Sequence, residues 1–196
     1  MAGLPLKLIV GLGNPGPEHA DTRHNAGFWC VDRLAARCGG SLRPHARYHG
    51  EVGRVTLDSG EAWLLKPMTY MNRSGMAVRA LLDYMRIEPA ETLVAHDELD
   101  LPAGTVRLKL GGGSGGHNGL KDLITQIGDG FWRIRLGIGR PPGSDEVIDY
   151  VLKRAPGAEQ VLLDGAVGAA VDAIPKIVSD GAERVMNSLH RREPSA

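Results

Sequence analysis

The sequence predicts an α/β fold, in which a single domain contains a mixed, twisted β-sheet flanked by helices. Short apolar runs of strand length alternate along the chain with longer stretches in which apolar residues recur at helical spacing. The chain has 196 residues, 42% of them hydrophobic, and shows no internal repeat or interdomain linker. This length and composition fit one hydrophobic core, so we predict one domain over residues 1–196.

The N-terminal segment predicts a buried strand followed by a helix. The run from Leu6 to Leu12 is apolar, and its glycines mark a sharp turn of the backbone at its end. From about Thr22, apolar residues recur at helical spacing until Gly39 and Gly40 stop the pattern. We therefore expect the first helix to begin at Thr22.

A hairpin and a second helix follow. The runs Val52 to Leu57 and Ala62 to Leu65 have the composition of strands, and the turn from Asp58 to Gly60 joins them. Apolar residues then mark one face of a helix from Ser74 to Arg86.

The second half of the chain predicts three more strands and a helical C-terminal region. The run Thr92 to His96 is a buried strand, and it brings Asp97 to its C-terminal end, where open α/β sheets bind ligands. A glycine-dense segment, Gly111 to Gly116, predicts a mobile loop at the start of a helix. The other predicted elements are strands Val106 to Leu110 and Trp132 to Ile138, the helix His117 to Ile127, and helices after Pro142.

Charge and cysteine content exclude few classes of partner. The 23 basic residues balance the 23 acidic ones, so net charge predicts no partner. Cys30 and Cys38 lack the spacing of metal ligands, which favours buried thiols in a reducing cytosol. The N-terminal apolar run is too short for a signal peptide, and the apolar region Val161 to Val178 contains charged residues and a proline. We therefore expect a soluble, cytoplasmic protein.

Two motifs resemble sites of other protein classes. The pattern G-x-G-x-x-G begins at Gly11, but Pro15 and Pro17 delay the helix whose N-terminus would meet a dinucleotide pyrophosphate. A tight turn with Asn14 in the left-handed conformation is the simpler interpretation. The pattern G-x-S-x-G surrounds Ser114, but flanking glycines give flexibility where a nucleophilic serine needs a rigid turn.

A metal site is a third possibility, although no spacing typical of a closed ligand set occurs. The residues able to bind a metal are His24, His96, Asp97, Glu98 and His117.

Histidine-assisted attack by water is the chemistry that the remaining polar residues favour. His24 lies at a predicted helix start, where a neutral imidazole could accept a proton from water. Asp97 could hold the second ring nitrogen and stabilise the imidazolium. Asn14, Asn72 and Asn118 lie at predicted turns and could bind a carbonyl, an oxyanion or water without adding charge.

The chain resembles bacterial-type peptidyl-tRNA hydrolases. The stretches that carry this resemblance occur in the order of the family from about Leu8 to Leu189, and they are GLGNPG, TRHNAG, KPMTYMN-SG, AHDELDLP-G, KLGGG-GGHNGLKD and RIRLGIGRP. The resemblance implies hydrolysis of the ester between peptide and tRNA, which recycles tRNA from aborted translation. It implies no cofactor and no metal, and we expect a monomer that binds no membrane.

The resemblance also assigns roles to individual residues. The catalytic residues would be His24, Asp97 and Asn14. The substrate-binding residues would be Asn72, Asn118, Tyr70, Met71 and His117, with the family's lid over Gly111 to Asn118. Lys109 and Arg135 would clamp the tRNA backbone. His19 stands where the family usually has tyrosine, and we interpret it as a replacement without a transferred role.

Local charge agrees with a nucleic-acid partner. Six basic residues lie from Arg107 to Arg140, and such a local cluster suits contacts with phosphates. The alternative interpretation is a basic face that only contacts solvent. Two further functions remain open at this point: a non-catalytic module that binds RNA ends or translation factors, and an esterase that depends on Ser114.

Overall fold

The computed structural model describes residues 5–58 and 60–191, and seven strands in these residues form one mixed sheet. The strands are β1 (Leu8–Gly11), β2 (Arg43–His45), β3 (Gly50–Leu57), β4 (Gly60–Pro67), β5 (Thr92–Glu98), β6 (Val106–Leu110) and β7 (Trp132–Gly137). The helices are α1 (Ala26–Arg37), α2 (Ser74–Met85), α3 (Asn118–Ile127), α4 (Val147–Val151), α5 (Gly157–Asp180) and α6 (Ala182–Arg191). The sheet order is β2-β3-β4-β1-β5-β7-β6.

The middle of the sheet consists of four parallel strands. β1 pairs in parallel with β4 and β5, and β5 pairs in parallel with β7. β2, β3 and β6 add antiparallel pairs at the two sides. The predicted mixed sheet with flanking helices is therefore confirmed. Because parallel strands end at the same edge, the segments that follow β1, β4 and β5 lie close together there.

Helices cover both faces of the sheet. Side chains alternate between the faces along β1, so Ile9 packs into the core formed with α1, α5 and α6. Leu8 and Val10 pack into the second core, formed with α2 and α3. Every residue of β1 is buried, as a strand covered on both faces requires.

The observed element boundaries differ from the predicted ones mainly near turns. The strand Val106 to Leu110 is as predicted, and the hairpin strands are longer than predicted. Ser59, in the predicted turn, lies outside the described residues. The sequence pattern missed β2, because its three exposed residues include a proline and show no apolar alternation.

The first helix begins later than predicted. A single 3-10 turn spans Arg23–Asn25, and α1 starts only at Ala26. A Cβ at Gly27 would collide with the Ala95 carbonyl oxygen and with the backbone of Leu12, so this glycine lets α1 lie directly against β1 and β5. The 3-10 turn therefore projects from the C-terminal edge of the sheet, and it contains His24.

The two cysteines are free thiols. Cys30 is buried in the core below α1, and burial raises its pKa to about 12, which keeps the thiol protonated and unreactive. Cys38 is partly exposed. Among the helices in the described ranges, none is both long and apolar enough to cross a membrane.

Candidate active site

The C-terminal edge of the parallel strands carries an open cleft with a volume of about 230 Å³. The segments after β1 and β4, the end of β5, the glycine loop and α4 form its walls. All the catalytic and substrate-binding residues predicted from the sequence line it, and these are Asn14, His24, Tyr70, Met71, Asn72, Asp97, His117 and Asn118. Lys109 and Arg135, predicted to bind tRNA, lie outside it.

The base of the cleft is a hydrogen-bonded pair of His24 and Asp97. The Nδ1 atom of His24 lies 3.0 Å from Oδ1 and 2.9 Å from Oδ2 of Asp97, and both residues are buried. A carboxylate accepts hydrogen bonds, so this contact selects the tautomer with its proton on Nδ1. The Nε2 atom of neutral His24 then carries the lone pair that a general base needs.

Burial and charge shift the pKa values of this pair. Burial lowers the pKa of His24, but the negative charge and hydrogen bond of Asp97 raise it more, so the net direction is upward. Burial raises the pKa of Asp97, but its two imidazole neighbours lower it more, so the carboxyl group stays ionised. An ionised Asp97 can therefore stabilise an imidazolium at His24.

His117 is the second imidazole that binds Asp97. Its Nε2 lies 2.9 Å from Asp97 Oδ1, and its Nδ1 accepts from the backbone N–H groups of Gly119 and Leu120 at 3.1 and 3.3 Å. Because Nδ1 accepts, the ring proton lies on Nε2 and points at the carboxylate. Both ring nitrogens are therefore engaged by the protein. His117 caps α3 and holds Asp97, a positioning role that the sequence did not indicate.

Asn14 is held so that its amide group faces the cleft. Its Oδ1 accepts from the backbone N–H of Met71 at 2.7 Å, while Asn25 bonds to its backbone N–H and carbonyl at 2.8 and 2.9 Å. Within residues 5–58 and 60–191, its Nδ2 has no hydrogen-bond partner, which leaves two donors for a substrate oxygen. Sequence reasoning missed Asn25 as the residue that fixes this loop.

The backbone of Asn14 differs from the expected left-handed turn. His49 and Arg86 are the only non-glycine residues of the described chain with positive φ. In the glycine motif, only Gly16 has positive φ. A Cβ atom added at Gly11 would collide with Gly27 of α1, and one added at Gly13 would collide with Phe28 of α1. The motif therefore makes room for a helix and does not open toward a phosphate.

The other predicted polar residues surround the cleft entrance. Asn72 follows β4 in a 3-10 turn, Asn118 is the first residue of α3, and both are exposed. Tyr70 is also exposed at the rim, whereas Met71 is buried below it. His19 does not line the cleft, and its ring lies 3.7 Å from Glu18.

The cluster of His24, Asp97 and His117 offers three ligand-capable atoms within 4.8 Å of one another. A metal on Nε2 of a neutral His117 would require the ring proton on Nδ1, where two backbone N–H groups already donate. The hydrogen bonding of His117 therefore disfavours its use as a ligand. His96, which was another candidate, is fully buried and does not line the cleft.

The glycine loop is held at its start by a buried arginine. The guanidinium of Arg133 donates to the carbonyl of Gly113 at 2.6 Å and to that of Gly112. No histidine side chain in the described ranges binds Ser114, and both nitrogens of the adjacent His117 are engaged elsewhere. Ser114 therefore lacks the base that a serine nucleophile requires.

The predicted tRNA clamp lies on β6 and β7. Lys109 is exposed, and within the described chain it has no ion-pair partner, whereas Arg135 pairs with Glu98 at 3.0 Å. The basic cluster predicted here is partly neutralised, since Arg140 also pairs with a carboxylate, that of Asp100. Arg107 keeps its charge but donates to the Leu189 carbonyl. Lys109 is therefore an available cation, and its side chain lies next to Gly112 of the glycine loop.

An apolar wall on α4 was not predicted as part of the site. Val147, Ile148, Val151 and Leu152 line the cleft, and Ile148 is exposed to solvent. These positions recur at helical spacing, a pattern that predicts a helix but not its place in a cleft. The wall gives a surface that apolar groups of a ligand could contact.

Comparisons with known proteins identify the family of the chain. A family model described as peptidyl-tRNA hydrolase matches residues 8–196. A peptidyl-tRNA hydrolase from Neisseria meningitidis serogroup A is 48% identical over 188 residues, which cover 95% of this chain and 98% of that protein. One from Tolumonas auensis is 50% identical over 194 residues and 98% of each chain. A crystal structure of peptidyl-tRNA hydrolase from Acinetobacter baumannii matches with a TM-score of 0.95 and 45% identity, covering 100% of both chains. The chain belongs to the peptidyl-tRNA hydrolase family.

Proposed function

We propose that the chain hydrolyses the ester bond between the peptide and the tRNA of peptidyl-tRNA, and so releases free tRNA and free peptide. Family membership over nearly the whole chain supports this activity. The observation that carries the chemistry is the pairing of His24 Nδ1 with the buried Asp97 carboxylate at the base of an open cleft. This arrangement can activate water without a covalent intermediate.

In this mechanism His24 acts as the general base. Its Nε2 atom takes a proton from water while the water oxygen bonds to the ester carbonyl carbon. Asp97 stabilises the imidazolium that results, and the bond to the ribose oxygen then breaks as that oxygen receives the proton. The atoms of one water molecule are thus divided between the peptide carboxyl group and the tRNA end, and no cofactor takes part.

Asparagine side chains position the substrate. The Nδ2 group of Asn14 is fixed by the bond from Met71, and it donates to the carbonyl oxygen as negative charge develops there. Asn72 and Asn118 flank the entrance and bind the peptide backbone or the tRNA end. Tyr70 and Met71 contribute contact surface on the same side.

Phosphate contacts hold the tRNA portion of the substrate. Lys109, whose side chain lies next to Gly112 of the glycine loop, and Arg135, which pairs with Glu98 on β5, bind phosphates of the acceptor stem. Peptidyl-tRNA is released when translation aborts, so we place the activity in the cytoplasm, as a monomer acting in tRNA recycling and ribosome rescue.

The decisive experiment compares the wild-type protein with His24→Ala on an N-acetyl-aminoacyl-tRNA. We expect ester cleavage by the wild type, and a loss of about 10²–10⁴-fold in turnover for His24→Ala with tRNA affinity largely retained, because the base assists chemistry and not binding. Ser114→Ala is the matched control and should keep its turnover. Binding without cleavage by the wild type would favour a non-catalytic module, and loss of turnover in Ser114→Ala would favour an acyl-serine enzyme.

A further inference from the structure

Arg23 lies next to His24 in the 3-10 turn, but its side chain points away from the cleft. The residue is only 5% exposed and does not line the cleft. Its guanidinium extends into the junction between the end of α4 and the start of α5, where it binds protein groups on several sides.

The first set of contacts is with backbone carbonyls in the last turn of α4 and in the segment that follows it. Nη1 of Arg23 donates to the carbonyl oxygens of Tyr150, Lys153 and Arg154 at 3.0, 3.3 and 3.4 Å. The last carbonyls of a helix have no partner within the helix, and a cation there is favourable. Arg23 therefore binds Tyr150, in the last turn of α4, and the backbone of Lys153 and Arg154 just beyond that helix.

The second set of contacts is with side chains. Nε and Nη2 of Arg23 donate to the two carboxylate oxygens of Glu159, on α5, at 2.6 and 3.1 Å. The guanidinium also lies 4.0 Å from the ring centroid of Tyr150, and the Tyr150 hydroxyl donates to the Ile138 carbonyl at 2.6 Å. A bidentate ion pair of this kind fixes the orientation of the guanidinium relative to the carboxylate as well as the distance between them.

These contacts connect the catalytic turn to the apolar wall. The backbone N–H of Arg23 donates to the Lys153 carbonyl at 3.2 Å, and Thr22 forms a bridge with Arg154. α4 provides Val147, Ile148 and Val151 to the cleft, so the position of this wall relative to His24 depends on the junction that Arg23 fills.

We infer that Arg23 is a positioning residue that fixes the apolar wall of α4 relative to His24, and thereby makes hydrolysis depend on the side chain carried by the peptide. The inference rests on the proposed function, because it concerns which peptidyl-tRNAs are cleaved fastest. A side chain that contacts the wall gains apolar contact only while α4 is held in place.

The test uses two substrates on matched tRNA bodies, N-acetyl-phenylalanyl-tRNA and N-acetyl-glycyl-tRNA. Arg23→Lys keeps the charge but cannot form the forked contact with Glu159 and the carbonyls. We expect kcat/KM for the phenylalanyl substrate to fall roughly tenfold relative to the glycyl substrate, a size typical for losing apolar contact in a pocket. The affinity for free tRNA should not change.

A second variant guards against misfolding. Glu159→Gln removes the partner charge and should lower the same substrate ratio by a smaller factor. The double variant should lower the ratio by less than the two single effects combined, since both residues act in one contact. The matched control is Arg33→Lys, because exposed Arg33 binds Asp164, joins α1 to α5 and does not line the cleft. It should leave the ratio unchanged.

The results separate this inference from the proposed function. If the wild type cleaves both substrates but Arg23→Lys and Glu159→Gln leave their ratio unchanged, the inference is overturned while the hydrolase function stands. An equal loss for both substrates, or weaker tRNA binding, would also overturn it, since a general structural role predicts those outcomes. Failure of the wild type to cleave either substrate would reject the proposed function itself.

Discussion

The carboxylate of Asp97 accepts hydrogen bonds from two imidazole rings, His24 and His117, and this sharing organises the cleft. His117 is fixed in turn by two backbone N–H groups of α3, so it holds the carboxylate in one orientation. A general base gains from such fixed geometry, because its lone pair needs no rearrangement before water attacks.

At the residue scale, the first prediction concerns the pH dependence of Asp97→Asn. His24 must be neutral to act as the base, and Asp97 raises the pKa of His24 above its ordinary value of 6.5. Wild-type kcat/KM should therefore fall as the pH drops through an apparent pKa above 6.5. Removing the carboxylate leaves burial, which lowers that pKa. The acid limb of Asp97→Asn should therefore move to lower pH while the plateau falls, as measured by kcat/KM between about pH 5 and 9.

Glu98→Gln is the matched control for this profile. It removes a neighbouring carboxylate of β5 that pairs with Arg135 and makes no bond to His24. Its acid limb should move less than that of Asp97→Asn. Equal shifts for the two variants would show that general charge, and not the hydrogen bond, sets the pKa of His24.

At the element scale, the position of α1 depends on a close contact with the sheet. Gly27 approaches the backbone of Leu12 and the carbonyl of Ala95, with no room for a side chain. α1 follows directly on the turn that holds His24, so the same contact places His24 over the end of β5.

Gly27→Ala should therefore destabilise the fold. The added methyl group must displace backbone atoms, and overpacking of this kind costs about 1–3 kcal/mol. Urea unfolding would measure this change in the free energy of unfolding. Gly165→Ala is the matched control, because Gly165 lies within α5 with open space around its Cβ position. That substitution should stabilise by about 0.5–1 kcal/mol, and equal destabilisation of both variants would contradict the packing argument.

The antiparallel pair β6 and β7 carries the second element-scale prediction. Lys109 is exposed beside the glycine loop, so Lys109→Gln should weaken tRNA binding. The magnitude of the slope of log K against log salt should fall by about 0.7–0.9, because one phosphate contact is lost. Titrations of tRNA at several salt concentrations measure this slope. Lys176→Gln removes the same charge from α5 and should leave the slope as it is in the wild type. Equal slopes for wild type and Lys109→Gln would remove this lysine from the tRNA contact.

At the scale of the whole molecule, the buried histidine of β5 ties folding to pH. The Nδ1 atom of His96 lies 2.7 Å from the Asp97 carbonyl oxygen, while its buried Nε2 has no hydrogen-bond partner among the described residues. Burial is the main cause that lowers the pKa of His96, to about 3. Folded His96 therefore stays neutral over a range in which the unfolded chain binds a proton.

The sign of this effect is fixed by proton uptake. Between pH 6.5 and about 3 the unfolded state gains a proton at His96 that the folded state does not bind, so this residue makes unfolding easier as pH falls. His24 acts in the opposite direction, because its raised pKa favours the folded state at low pH. His96→Gln should therefore reduce the loss of stability on acidification, by about 1.4 kcal/mol per pH unit at most. Urea unfolding at about pH 7 and pH 5 measures the free energy of unfolding of the wild type and of His96→Gln. An equal loss of stability between the two pH values in both proteins would contradict the assignment.

Much of the fold could be predicted from the sequence because its elements have strong local patterns. Thr92 to His96 and Val106 to Leu110 were predicted as strands, and both are strands in the structure. β2 could not be predicted, because its three residues form a strand only by pairing with β3. The start of α1 was also misplaced, since a 3-10 turn and an α-helix share apolar spacing over so few residues.

The sequence by itself determined which residues could act: a histidine before a helix, an aspartate at the end of a strand and asparagines in turns. It also determined the order of elements, since those patterns are local. Only the tertiary structure decided that His117 binds Asp97 and that Arg23 binds Glu159, a residue 136 positions away. The physical reason is that a contact between distant residues depends on how helices pack against the sheet, and no periodicity along the chain encodes that packing.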